Sequence, residues 1–392
     1  MRVLIAPMAA MAETSGPFSR SRTLALALRS AGHEVALCAA QDVNYKEIEG
    51  IKNYFAPIPM IMGLPSPISK IILRIGSTID VQQKKTVHSF EEVLFIAGAI
   101  SKRQFPRDVV AIQKAIRDYR PDIVYAEFRP AAIVAAKLEK VKVATGFSYP
   151  VQKSYASSPQ YASNVRKFLV SVGLPDVESV LDIFDWADMK IVPSSSTLEP
   201  IGGENVYFTG PFDGMKAASV DRSQKYKNII VYMGTGCVSY HHQLSVMTDT
   251  FANSDYNVYI ASMAAKPMKT QNIIVDKRFD FSKLMPSAAA FINHGGQNSI
   301  MTGLMYGVPQ LIIPGKIFER KYNAECAEKA GVGRILDVSE FTPLKIRSAL
   351  TEFCNSAEFS VKAEKLGEDL KNLGGVQSVV NILEKLYEGD IN

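Results

Sequence analysis

Apolar and polar residues along this chain fall into blocks whose lengths repeat. Arg2–Ala6 (RVLIA) is a short apolar run with the length of a buried strand. Leu24, Leu28 and Ala31 recur at helical spacing, which predicts a helix over Leu24–Ser30 that stops at Gly32. GHEVALCAA supplies a second strand, Glu34–Ala39, and the sequence strand–loop–helix–strand opens a parallel α/β sheet. Residues 55–107 read as irregular, with Pro57, Pro59, Pro65, Pro67 and Pro106 interrupting the apolar pieces. The pattern resumes with a helix over Asp108–Tyr119, a strand at Asp122–Ala126, a helix over Ala131–Lys137 and a strand at Val141–Thr145. Trp186–Val192 and Val206–Phe208 are the last strands before a polar stretch rich in Gly, Pro and Ser, Thr209–Gln224.

The second half starts again. Asn228–Gly236 is a strand running into a glycine turn, and Gln243–Ala252 is helical. Tyr256–Ala261, Asn272–Val275, Ala289–Asn293, Gln310–Ile313 and Arg334–Leu336 read as strands with helices between them. The tail 374–389 is an amphipathic helix with Val376, Val379, Val380, Leu383 and Leu386 on its apolar face. Strands alternating with helices in both halves predict an α/β chain of two doubly wound Rossmann-like domains facing across a cleft. The expected division is 1–208, 209–373, and a terminal helix 374–392 that packs back on the N-terminal domain.

Composition excludes several classes. The 392 residues are 47% hydrophobic and 21% charged, an ordinary globular balance. No run approaches the ~18 apolar residues that span a bilayer, and the N-terminus lacks the features of a signal peptide. Cys38, Cys237, Cys326 and Cys354 stand apart, which suggests a reducing, cytoplasmic setting without disulfides or a cysteine zinc site. His241 and His242 are adjacent in sequence, not on one helical face, so no metal site is expected there. GTGCVS lacks the last glycine of a dinucleotide fingerprint, and neither a P-loop nor a nucleic-acid-binding motif occurs. The net charge of +5 is uneven: residues 1–150 hold 20 Lys/Arg against 13 Asp/Glu, and the remainder holds 24 against 26. The basic N-terminal part can attract an anionic substrate or a membrane surface, or simply be solvated.

The stretch FINHGGQNSIMTGLMYGVPQLIIP, 291–314, carries the chemistry. A strand ends at a histidine and two glycines, and a helix follows. A helix N-terminus offers backbone N–H groups and the positive end of its dipole. Gly295 and Gly296 allow close approach, and Asn298 and Ser299 can cap the helix or donate to an oxyanion. Such a site suits a phosphate.

Over 294–333 the chain resembles the donor-binding segment of GT-B glycosyltransferases of the UDP-glycosyltransferase, macrolide and antibiotic glycosyltransferase superfamily. His294-Gly295-Gly296, Gly307-Val308-Pro309, Pro314, Asn323-Ala324 and Gly331/Gly333 stand in the family's order. MRVLIAP, RPDIVYAEFRPAAIVAA and VYMGTG resemble its other strand–turn segments; residues 45–107 and 150–185 match no family motif. The resemblance implies that His294 and Ser299 contact the diphosphate of a nucleotide sugar of UDP or dTDP type, helped by the turn at Gly296. It places Gly234, Thr235 and Gly236 on the other side of the phosphates and Phe279 and Phe281 at the base. Glu319 and Arg320 take the place of an Asp-Gln pair that binds donor sugar hydroxyls, with Arg a change of chemistry. No cofactor or metal is implied.

Two departures bear on mechanism. The acid usual in the helix after HGG is Thr302 here, and the first-loop histidine that serves as base falls on Pro17 in GPFSRS, a loop that reads as a second glycine turn. Glu127, at the position of the family's relay acid, and Glu13, in the first loop, are the candidate bases for an inverting transfer. A silent partner of another glycosyltransferase and a nucleotide-sugar epimerase or hydrolase are the alternatives. The acceptor, a small molecule or a lipid, stays open, as do peripheral membrane contact and a homodimer.

Overall fold

The computed structural model describes residues 1–9, 16–42, 44–59, 85–212, 228–234 and 237–389. Two seven-stranded sheets organise them. In the first, β1 (Arg2–Pro7), β2 (Glu34–Ala40), β3 (Lys52–Ala56), β4 (Ile123–Glu127), β5 (Lys142–Gly146), β6 (Met189–Val192) and β7 (Val206–Phe208) are all parallel, in the order β3-β2-β1-β4-β5-β6-β7. In the second, β8 (Asn228–Tyr232), β9 (Asn257–Ala261), β10 (Met268–Lys269), β11 (Ile273–Asp276), β12 (Ala288–Asn293), β13 (Gln310–Ile312) and β14 (Gly333–Ile335) run in the order β10-β11-β9-β8-β12-β13-β14. Only the β10 edge strand is antiparallel to its neighbour among these pairs. Both sheets are doubly wound. The strand order reverses between β1 and β4 in one and between β8 and β12 in the other, and the crevice at the carboxyl ends of such strands is where this architecture binds ligands.

The first sheet belongs to a compact unit comprising Met1–Ile75, His88–Gly214 and Leu373–Asn392, and the second to one comprising Gly76–Val87 and Met215–Asn372. Val87 departs from the expected division at residue 208. Its N–H donates to the Lys316 carbonyl at 2.9 Å and its carbonyl accepts from Phe318 N–H at 3.1 Å, so it lies with the second unit. The helix Gly375–Glu388 lies in the first unit, with Val379, Val380, Leu383 and Leu386 fully buried in that unit's core. Gly375 takes φ +58° and donates to the Thr209 carbonyl at 2.7 Å. A Cβ there would stand 2.9 Å from the Pro211 carbonyl oxygen, so glycine is required for this approach.

β1 and β4 are buried almost throughout, as strands covered on both faces must be. Three elements differ from the sequence reading. The first helix runs Pro17–Ser30, beginning seven residues earlier than Leu24; GPFSRS is therefore its first turn, with Pro17 at the start where its missing N–H costs nothing. β3 has no counterpart in the sequence reading and runs at Phe55 into the stretch read as irregular; it is a half-exposed edge strand, and burial does not impose an apolar pattern on it. In the same stretch Phe90–Ile96 is helical, capped by Ser89, whose hydroxyl accepts from Glu92 N–H at 3.1 Å, and the next helix spans Gln104–Tyr119, not Asp108–Tyr119.

Candidate functional site

The second sheet's point of reversal carries the predicted phosphate site. β8 ends at Tyr232, β12 ends at Asn293, and the two are neighbours in register, Asn293 beside Tyr232. The turns that follow therefore meet. His294 is buried with its ring edge-on to Tyr232, centroids 5.4 Å apart, and its Nδ1 is 3.3 Å from the Tyr232 carbonyl oxygen. A carbonyl only accepts, so Nδ1 carries the proton in that contact. A Cβ at Gly234 would stand 3.1 Å from His294 Nε2, and one at Gly296 only 2.6 Å from it. The Nε2 edge is thus flanked by two residues without side chains, which keeps it open to a ligand atom. Gly234 and Gly295 also take φ +57° and +77°, the left-handed region that favours glycine.

The helix Gln297–Met305 starts at Gly296 without a side-chain cap. Ser299 is buried in its first turn, and its N–H bonds the Gly296 carbonyl at 2.9 Å. Asn298 lies one residue earlier, where its carbonyl accepts from the Thr302 hydroxyl at 2.8 Å; Thr302 is therefore engaged with its own helix.

Two residues outside the sequence reading hold this turn. Asn293 Oδ1 accepts from Gly295 N–H at 2.9 Å, and its Nδ2 donates to Gln310 Oε1 at 2.8 Å. Gln310 Nε2 donates in turn to the Ile300 carbonyl at 3.0 Å, and both side chains are fully buried. The network ties β12, the turn, the helix and β13 together. It leaves no room beside it: a Cβ at Gly303 would lie 2.4 Å from Gln310 Nε2. Asn323 Nδ2, from the helix Phe318–Lys329, donates to the Gly295 carbonyl at 2.9 Å. A polar residue ending one buried strand and another opening the next was the signal available in the sequence, because a buried amide needs partners.

Burial pushes the His294 imidazole down to about 3, helped by the positive charge of Arg320 and opposed by the Tyr232 carbonyl. It is neutral near pH 7. Arg320 is half-buried, and its charge acts on both His294 and Cys237, so it belongs to this site; Glu319, beside it, acts on Arg320. Phe281 packs edge-on against Tyr232 (5.9 Å) and Phe291 (5.8 Å), while Phe279 packs on Tyr259 (5.5 Å). Both Phe279 and Phe281 are half-buried. Thr235 and Gly236 lie outside the described residues, as does Glu13. Among the described residues no group of His, Cys, Asp or Glu side chains is placed to hold a metal ion.

The first sheet's point of reversal carries a different constellation. Glu127 ends β4 opposite Pro7 of β1 and is 1% exposed. Arg20, on the turn of helix after Pro17, donates Nε to Glu127 Oε1 at 2.6 Å, and the Tyr125 hydroxyl donates to Oε2 at 2.9 Å. A Cβ at Gly146, the end of β5, would stand 2.6 Å from Oε2. Phe128, next in the chain, holds φ +53° and lies under the Arg20 guanidinium, 5.3 Å from its carbon. Non-glycine strain of this kind concentrates at functional positions. A second buried cation, Arg129, pairs with Asp108 and donates to the Pro7 and Cys38 carbonyls at 3.1 and 2.8 Å, fixing the ends of β1 and β2. Arg20 was missed in the sequence because GPFSRS reads as a loop; a helix beginning at Pro17 turns residue 20 back toward β4.

Residues 247–386 match the family model described as the erythromycin biosynthesis protein CIII-like C-terminal domain. The chain is 25% identical to the uncharacterized UDP-glucosyltransferase YojK of Bacillus subtilis over 60% of its own length and 62% of that relative's. The structure is similar to that of CalG4, the calicheamicin glycosyltransferase, with a TM-score of 0.75, 16% identity and 98% of each chain covered. It is also similar to glycosyltransferase VinC in complex with dTDP, with a TM-score of 0.65 and 16% identity over 99% of this chain and 100% of that one. The chain has the GT-B fold of these structures, and its residues 247–386 resemble the C-terminal domain that the family model describes.

Proposed function

We propose that this protein is a glycosyltransferase that moves a sugar from a nucleotide-diphosphate sugar to an acceptor hydroxyl, inverting the anomeric centre and using no metal. One observation carries the reading: His294 sits between two positions that only glycine fits, at the mouth of a helix and at the point where the second sheet reverses. That place offers a diphosphate the helix dipole, the positive charge of Arg320 and an imidazole edge that becomes a donor on taking up a proton. The same groups would neutralise a departing nucleoside diphosphate, the task a divalent metal performs elsewhere. Ser299 and Asn298 of the first turn add polar contacts, Phe279 and Phe281 flank the base, and Glu319 with Arg320 meets the sugar. A donor of UDP or dTDP type fits the relatives; VinC was solved with dTDP.

On the acceptor side Glu127 takes the proton from the attacking hydroxyl, with Glu13 as the other candidate. Each Glu127 oxygen has one side-chain partner, and an ionised carboxylate can accept about four hydrogen bonds. An acceptor hydroxyl reaches it as Arg20 or Tyr125 gives way. Isolated cysteines, two of them buried, fit a cytoplasmic protein.

Calorimetric titration with UDP, dTDP and GDP tests the donor half. At least one should bind the wild type, raise its melting temperature, and bind His294→Ala more weakly while that variant stays folded. Equal affinity in the two proteins removes the phosphate role of His294. Donor binding with no transfer to any acceptor, and stimulation of a separate glycosyltransferase, would instead identify a silent partner.

A further inference from the structure

One face of the first unit combines exposed cations with exposed apolar side chains. The helix Gln104–Tyr119 presents Arg103, Arg107, Val110 and Lys114 along one outward stripe, a spacing of four, three and four residues. Lys102 precedes it in the turn, and Lys167 projects from the helix Ser163–Ser171. These elements are contiguous: Phe105 packs edge-on against Phe168 at 5.7 Å, and Phe95 stacks on Tyr161 at 4.6 Å. Phe95 (51% exposed), Ile96 (38%), Val110 (59%) and Val170 (61%) stand among the cations. They are four of the eleven large apolar residues most exposed among the described residues, so the surface is enriched in them.

Most nearby acids are paired with other cations, and Glu92, on the helix of Phe95 and Ile96, accepts from the His88 N–H at 2.7 Å. Asp108 pairs with Arg129, Glu139 with Arg117, Asp176 with Arg166, and Asp118 with Lys52. Lys102, Arg103, Arg107 and Lys167 make no ion pair with a described residue, and Lys114 acts on Asp118 only through space. The face therefore carries a net excess of positive charge beside side chains that gain by leaving water.

We propose that this face docks the protein on an anionic bilayer surface, the cations lying against lipid phosphates and Phe95, Ile96, Val110 and Val170 entering the headgroup boundary. Scattered aliphatics between cations favour this partner. A protein interface would gather them into one apolar patch, and a nucleic acid has no use for Ile96, Val110 or Val170. The inference is independent of the transferase chemistry, because its readout is binding alone. No helix among the described residues is long and apolar enough to cross a membrane, so any attachment through these residues is at the surface.

Co-sedimentation of the full chain with vesicles tests it. The wild type should bind phosphatidylcholine–phosphatidylglycerol vesicles, ignore phosphatidylcholine alone, and release as salt rises. Arg103→Gln/Arg107→Gln/Lys114→Gln should lose on the order of a hundredfold in partitioning, at roughly fivefold per cation. Phe95→Ser/Ile96→Ser should weaken binding at low salt without changing the salt dependence. Circular dichroism and melting temperature establish that both variants are folded. Failure of the wild type to bind anionic vesicles, or full binding by the triple variant, overturns the proposal. So does equal affinity for a DNA duplex with Phe95→Ser/Ile96→Ser indifferent, which would make the face a polyanion site.

Discussion

The two sheets reverse direction in the same way, yet they fill the place of reversal with opposite electrostatics. Beyond β8 and β12 the central group is a neutral imidazole, flanked by glycines and held by one backbone carbonyl. Beyond β1 and β4 it is a buried ion pair, Arg20–Glu127, with a tyrosine hydroxyl on the second oxygen. The first arrangement leaves space and an unused ring nitrogen edge; the second fills its space. Topology thus supplies a location for a ligand, and the side chains decide its charge. A site for a diphosphate wants donors and room. A carboxylate proposed to activate a hydroxyl needs a fixed position, and Tyr125, Arg20 and Gly146 fix that of Glu127.

The largest effect should come from removing the room. Gly296→Ala places a methyl group 2.6 Å from His294 Nε2, so either the imidazole or the turn must shift. Nucleotide affinity should fall by more than about a hundredfold, the scale of losing several phosphate contacts at once. The Arg20–Glu127 pair, on the other sheet, should keep its geometry. Titration with the tightest-binding nucleotide gives the answer, and near-normal affinity would mean the glycine is there only for the turn.

Glu127→Gln makes the converse cut. A positioned base contributes ~10²–10⁴ in rate, so turnover should fall at least about a hundredfold with donor affinity nearly intact. Glu13→Gln, assayed in parallel, separates the two carboxylates. If both variants turn over normally, neither is the base, and the acceptor nucleophile arrives already acidic. If Glu127→Gln lowers donor affinity as much as turnover, the two sites are not separable in the way their structures suggest.

These contrasts mark what a single sequence discloses. Strands such as β1, β4, β8 and β12 were legible because burial on both faces forces unbroken apolar runs. The HGG turn and the GVP segment were legible because the family they resemble keeps those residues in a fixed order. β3 was not, since half-exposed edge strands need no such pattern. The Asn293–Gln310 bridge and the Arg20–Glu127 pair join residues 17 and 107 positions apart, and nothing local announces either partner. Pro17 shows the limit best. Aligned by family position it marks a missing histidine; in the fold it starts the helix that delivers Arg20 to Glu127.

Glu319→Ala is a smaller test, confined to the donor site. Its proposed partners are sugar hydroxyls, and a hydrogen bond to a charged group contributes about 1.5–3 kcal/mol. Use of the intact nucleotide sugar should drop at least about tenfold, while affinity for the bare nucleoside diphosphate stays level. Equal losses for the two ligands would move Glu319 from the sugar to the nucleotide or to Arg320.

The smallest effect is a pH dependence that the imidazole should show and the ion pair should not mimic. In the folded protein His294 stays neutral down to about 3, held there chiefly by burial and then by Arg320. In the unfolded chain it gains a proton near its ordinary value of about 6.5. Between those values the unfolded state binds more protons, so stability rises with pH and falls as the solution is acidified, by at most about 1.4 kcal/mol per pH unit. Above about 6.5 the contribution is complete and flat. The decrement between pH 6.5 and 5.5 should therefore be larger in the wild type than in His294→Asn, measured by urea denaturation of the two side by side. Ligand binding reverses the preference. With Nδ1–H directed at the Tyr232 carbonyl, the neutral ring offers only a lone pair at Nε2, and a phosphate oxygen needs a donor there. Diphosphate binding should then draw up to one proton from solution, seen as a binding enthalpy that varies with the ionisation heat of the buffer. His294→Asn, which carries its own N–H donors, should bind without that proton. Identical buffer dependence in wild type and variant would place the phosphate contact elsewhere than Nε2 and weaken the contrast between the two sites.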